Sequence, residues 1–161
     1  MRLINSGVLV AVLAMAAPQP STAQEHAVGA ESEYLLVLNA KSVVTQDGTL
    51  TLIGSPAVTY FSNRPARTAG HMTLQSLVDQ WDSIGYEADP PNAALATLGD
   101  RQGVTIVELR DVELDGDKLR FGYRVIEGDE PTGELGPASL FVDGAADIHP
   151  AEITSIGVIK K

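Results

Sequence analysis

Two runs of alternating polarity meet at a tight-turn signal in this chain. Val104 to Leu114 (VTIVELRDVEL) and Lys118 to Ile126 (KLRFGYRVI) flank Asp115-Gly116-Asp117. Few folds satisfy that pattern, because the chain must reverse at the Asp/Gly step and the two arms must pair as an antiparallel hairpin. In the second arm Leu119, Phe121, Tyr123 and Val125 share one face. Lys118, Arg120 and Arg124 share the other, with Gly122 among them. The alternation predicts a sheet with one buried and one wet face.

The same short period recurs upstream. Tyr34 to Val44 opens as a near-continuous apolar run (Tyr34-Leu35-Leu36-Val37-Leu38) and then alternates, the pattern of a central strand buried on both faces. Asp47-Gly48 marks a turn, and Thr49 to Leu52 alternates beyond it, so these segments read as another hairpin. Ala57 to Phe61, Ala93 to Leu98, Ala138 to Val142 and, more weakly, Ile153 to Ile159 supply further strands. Asp89-Pro90-Pro91-Asn92 reads as a rigid loop, because neither proline can donate to a ladder. Residues 127–136 read as an acidic loop.

One segment has helical spacing instead. Leu74, Leu77, Val78, Trp81 and Ile84 form a single apolar stripe, with Gln75, Asp79, Gln80 and Asp82 opposite. Thr73 is placed to cap its start and Gly85 to stop it. The predicted fold is mainly β: a β-sandwich of about seven to eight strands with one inserted amphipathic helix, about residues 73–84.

The N-terminus is read separately from the fold. Arg2 precedes the uncharged run Val8 to Ala17, which is too short to span a bilayer as a helix, and Ser21-Thr22-Ala23 offers small residues for cleavage. Residues 1–23 are therefore expected to be a signal peptide, 24–33 a loose tail, and 34–161 one domain. The competing reading, an N-terminal membrane anchor, fits less well, because the run is short and is followed by two prolines. The expected location is periplasmic or secreted, with no membrane insertion after cleavage. Cysteine is absent, which removes disulfides, thiol chemistry and a lipid-bearing cleavage site. The net charge of −10 argues against nucleic acid and against anionic lipid surfaces.

Tyr60 to His71 (YFSNRPARTAGH) stands apart in this acidic chain. It gathers Arg64, Arg67 and His71 in what reads as a loop between a strand and the helix, stiffened by Pro65. Arginine's planar fork suits carboxylates and phosphates, and the helix start beyond it adds free N–H groups. Arg64, Arg67, His71 and Trp81 are the candidate ligand-binding residues. The structural alternative has both arginines paired with carboxylates, fastening the loop to the sheet, and Trp81 packed in the core rather than stacking on a sugar.

Other constellations are weaker. Asp115-Gly116-Asp117 lacks the ligands of a calcium loop. Glu127, Asp129, Glu130 and Glu134 read as a solvated acidic loop, and Asp143, Asp147, His149 and Glu152 have no fixed metal-site spacing. No metal site and no cofactor is predicted. Ser62 near His71 can be drawn as a nucleophile and base, but no third residue completes the set, and no catalytic motif occurs.

Tyr60-Phe61-Ser62-Asn63-Arg64-Pro65-Ala66-Arg67-Thr68-Ala69-Gly70-His71-Met72, followed by Trp81, Asp89-Pro90-Pro91-Asn92-Ala93 and Gly136-Pro137-Ala138-Ser139-Leu140-Phe141, resembles a family of small exported bacterial proteins of uncharacterised function. The resemblance spans Tyr34 to Val142 and implies export and a common β fold. Here Tyr86 stands further from the Asp-Pro-Pro-Asn stretch than the family's aromatic does.

The expected function is a non-enzymatic binding module using the Arg64–His71 loop, with a small anionic ligand or a protein partner. The alternative is a structural or interaction protein of the cell envelope in which that loop is an internal fastener. An unrecognised hydrolase ranks last.

Overall fold

The computed structural model describes residues 33–64, 67–99 and 102–145. The expected signal peptide (1–23), nearly all of the expected N-terminal tail (24–33) and the strand expected at Ile153 to Ile159 lie outside them. Eight strands and one helix follow in order: β1 (Tyr34–Gln46), β2 (Thr49–Ile53), β3 (Val58–Ser62), β4 (Ala69–Met72), α1 (Leu74–Gln80), β5 (Asn92–Thr97), β6 (Gly103–Asp115), β7 (Lys118–Glu127) and β8 (Gly133–Ala145).

The predicted hairpins form. Asp47 and Gly48, at φ 50 and φ 75, turn β1 into β2 with both central residues left-handed, the geometry that matches strand twist. β6 and β7 pair from Asp115↔Lys118 to Ile106↔Glu127.

The architecture is a closed barrel, which corrects the predicted sandwich. β1, β2, β7, β6, β5 and β8 pair in a ring of six antiparallel strands, and β3 and β4 extend the sheet outward from β1. Closure depends on β1. The N-terminal half of one edge pairs with β3 (Leu36↔Tyr60) and the C-terminal half with β2 (Val43↔Leu52). The other edge of β2 pairs with β7 (Leu50↔Phe121), closing into a ring what would otherwise be one open sheet.

Bends make this possible. The β1 register shifts between Ala40 and Val43, where one extra residue enters the strand. The buried positions accordingly run Leu36, Leu38, Ala40 and then Val43, Thr45. The change of parity keeps apolar side chains inside while the strand turns. β6 bulges similarly between Arg110 and Glu113, with Asp111 at φ 47. Barrels need such local irregularities to curve.

The interior is packed solid. Leu36, Leu38, Leu50, Leu52, Val107, Leu109, Leu119, Phe121 and Leu140 are wholly buried. A six-stranded ring is narrow enough for side chains to fill it. Burying leucines of this kind contributes roughly 1.5–3 kcal/mol each.

α1 is shorter than the predicted 73–84. Thr73 caps it as expected, its Oγ1 accepting the Ser76 N–H at 3.0 Å. Beyond Gln80 the chain continues in tight turns, and Ile84 N–H still donates to Gln80 O at 2.9 Å. Ile84 therefore stays on the apolar stripe. Leu77, Trp81, Ile84 and Tyr86 are all buried, in one core with the barrel interior. The predicted acidic loop is also shorter than expected, because β8 already begins at Gly133.

Candidate functional site

The segment expected as a loop from Tyr60 to His71 is instead a β-hairpin. β3 and β4 pair from Val58↔Met72 to Phe61↔Ala69. Ser62 N–H donates to Thr68 O at 2.8 Å, and Thr68 N–H donates back to Ser62 Oγ at 3.0 Å. At the tip, Arg67 N–H donates to Asn63 O at 3.0 Å, with Arg67 at φ 51. β4 escaped the sequence reading because it has four residues and its buried positions are Gly70 and Met72, too small and too few to register as alternation.

Arg64 and Arg67 both project from this tip and are exposed. Their electrostatic setting differs from that of the other described arginines. Arg110 Nε donates to Glu108 Oε1 at 2.8 Å, Arg124 to Glu108 Oε2 at 2.6 Å, and Arg120 to Asp115 Oδ2 at 2.8 Å. The Arg124 and Arg110 hydrogen bonds hold Glu108 below the usual carboxylate range. Among the described residues, neither Arg64 nor Arg67 has a carboxylate within ion-pair distance. The sequence holds a signal for this that composition hides: the chain has 21 acidic residues, but none between Asp47 and Asp79.

His71 belongs to the same hairpin but faces elsewhere. Its Nδ1 lies 3.1 Å from Thr59 Oγ1, across the strand pair on the outer face. Ser62 Oγ accepts from Thr68, so Ser62 and His71 do not assemble as nucleophile and base. Trp81 is not on this surface. It is 4 % exposed, with its ring 5.6 Å from Phe121 and 4.8 Å from Tyr86. No ring face is left for a sugar, and core packing is its role. α1, with seven residues and its cap satisfied by Thr73, supplies no anion site.

The outer face beside the hairpin is unusually apolar. Register aligns His71, Thr59, Val37, Phe141, Ala94 and Ile106 in one row across β4, β3, β1, β8, β5 and β6. The next row places Ala69, Phe61 and Leu35 together. Phe61 is 40 % exposed and Phe141 38 %. Tyr34 to Leu38 therefore has apolar residues on both faces, as its sequence suggests, but the second face is the outside of the barrel.

A separate cleft of about 180 Å³ is lined by Tyr86, Asp89, Pro90, Pro91, Asn92, Asp143 and Gly144. Tyr86 packs on Trp81 and donates its hydroxyl to Asp143 O at 3.1 Å. Among the described residues no group of three His, Cys, Asp or Glu could hold a metal, and no helix is long and apolar enough to cross a membrane. Asp147, His149 and Glu152 lie outside them. No protein-family model, curated protein or solved structure matches this chain.

Proposed function

We propose that this chain is an exported, non-enzymatic binding module whose contact surface is the tip of the β3–β4 hairpin and the apolar outer face beside it. One observation carries the reading: Arg64 and Arg67 are exposed without a carboxylate partner among the described residues, whereas Arg110, Arg120 and Arg124 all have one. A guanidinium left unpaired in an acid-rich chain is available to a carboxylate from outside. The packed barrel interior favours a macromolecular partner over a small ligand, because a convex hairpin encloses nothing.

The fastener alternative places the arginines in internal ion pairs. Its support comes from elsewhere in the hairpin, the cross-strand contact of His71 with Thr59. The double variant Arg64→Ala/Arg67→Ala separates the two readings. Titration with a short glutamate oligomer at low salt is expected to show binding that the double variant loses, with the melting temperature unchanged. A fall in melting temperature with binding retained makes the arginines fasteners.

A further inference from the structure

We propose that the free edge of β4 accepts an extended acidic segment of a partner protein as an added strand, with Arg64 and Arg67 pairing its carboxylates. The inference rests on the hairpin being the binding face, and it names how the partner is held.

Among the described residues β4 ends the sheet and pairs with β3 alone. The Ser62–Thr68 backbone hydrogen bond fixes which groups face which way. Antiparallel pairs alternate between bonded and non-bonded, so Thr68, Gly70 and Met72 turn their backbone groups toward β3. Ala69 and His71 therefore turn their N–H and C=O groups outward, along the open edge. Edge strands are commonly protected by shortness, lysine, proline or a bulge. The four-residue Ala69–Met72 stretch is short, but it has no lysine, proline or bulge and carries no carboxylate. Beside it, Ala69 and Phe61 are both exposed. Alternate side chains of an incoming strand would lie on that apolar footing. Strand addition of this kind draws affinity from main-chain hydrogen bonds and specificity from the flanking side chains.

Charge selects the occupant. No Asp or Glu lies between Asp47 and Asp79, so symmetric pairing of two copies through β4 brings together two acid-free stretches and leaves the arginines unpaired. An acidic segment from a different protein supplies what the edge and the tip both lack.

The test uses the full chain and a capped synthetic peptide of alternating valine and glutamate. A second peptide of identical sequence carries a methyl group on every backbone nitrogen. It keeps the carboxylates but cannot donate to a ladder. The unmodified peptide is expected to slow amide exchange at Ala69 and His71 at least ten-fold, and the methylated one to bind at least ten-fold more weakly. His71→Pro removes one outward N–H without touching either arginine, and should weaken the unmodified peptide to the level of the methylated one. Equal binding of both peptides, lost in Arg64→Ala/Arg67→Ala, overturns strand addition and leaves the anion-binding hairpin standing. No binding of either peptide overturns both readings. A concentration-dependent dimer that His71→Pro abolishes assigns the edge to a second copy and overturns the proposal.

Discussion

Tyr60 lies directly across the strand pair from Gly70, and its ring occupies the space a side chain at Gly70 would need. A Cβ built at Gly70 would stand 2.6 Å from Tyr60 Cζ, closer than real Cβ contacts come. The tyrosine is 3 % exposed and meets Tyr34 edge-on, with ring centroids 5.8 Å apart, so it has little freedom to retreat. The absent side chain at Gly70 lets the short β4 sit close against β3. Gly70→Ala is therefore expected to destabilise the protein by about 1–3 kcal/mol, the usual range for overpacking. Urea denaturation measures this, and adding Tyr60→Leu should recover part of the loss. An unchanged midpoint in the single variant would show that the ring moves aside freely.

Trp81 offers a second test of packing. Its indole sits between Phe121 and Tyr86, and its Nε1–H is buried without a hydrogen-bond partner among the described residues. Trp81→Ala removes a large buried side chain and should cost about 3–5 kcal/mol. Trp81→Phe should cost distinctly less, because it also removes the unpaired donor. The chain has one tryptophan, so fluorescence reports this site alone. Emission should be blue-shifted and resistant to acrylamide until the protein unfolds. Emission typical of solvated indole would place Trp81 outside the core.

Much of the fold was written in two-residue alternation. The turns at Asp47-Gly48 and Gly116-Asp117 and the stripe from Leu74 to Ile84 are local properties, and local chemistry decides them. The closure of the barrel is not local. It depends on β2 pairing with β1 along one edge and with β7 along the other, and on the extra residue between Ala40 and Val43. That bulge interrupts the alternation without any glycine or proline to mark it. The candidate site was half legible. Arg64, Arg67 and His71 do share one hairpin, but Trp81 followed its apolar stripe into the core. A helical stripe favours burial, and the indole had aromatic neighbours waiting inside.

Alkaline stability should depend chiefly on two tyrosines, with burial also raising Tyr60. Burial, reinforced by the hydrogen bond and charge of Glu130, pushes the Tyr123 hydroxyl up to about 12. Burial, then the nearby charges of Asp143 and Glu33, raises Tyr86 as well. In the unfolded chain both return to an ordinary value near 10. A raised pKa means the folded state holds its proton more tightly. The resulting stability is complete below pH 10 and is lost as pH rises through the folded-state values. Melting temperature should thus fall between about pH 10 and pH 12. Tyr123→Phe should flatten part of that fall, and Tyr86→Phe a further part. A profile identical to wild type in both variants would mean that other groups control alkaline unfolding.

At the acid end the relevant group is Glu108. Its carboxylate is shared by Arg124 and Arg110, which lower its pKa. A lowered pKa gives stability that is present above the unfolded value and disappears as pH falls through the folded one. Glu108→Gln should therefore reduce the acid sensitivity of unfolding and also its sensitivity to salt, because exposed ion pairs are screened. Melting curves at neutral and acid pH, each in low and high salt, check both. Equal salt dependence in variant and wild type would show that the pair contributes nothing.

The extra residue in β1 makes the sharpest contrast. Ser42 lies in the register shift between Ala40 and Val43, and its hydroxyl is buried without a hydrogen-bond partner among the described residues. Its side chain therefore contributes little, and Ser42→Ala should be neutral or mildly stabilising, because it removes an unpaired polar group. Its backbone is another matter. Deleting Ser42 moves every following residue of β1 by one position, which turns Val43 and Thr45 outward and their neighbours inward. The Asp47-Gly48 turn keeps β2 in register with that half of β1, so β2 is carried along and loses its place on β7 (Leu50↔Phe121), the pairing that closes the ring. Circular dichroism and denaturation of the two variants should give opposite results: a cooperative transition at least as stable as wild type for the substitution, and no cooperative transition for the deletion. A deletion variant that still unfolds cooperatively would mean that β1 can re-register, and that the bulge does not set the closure of the barrel.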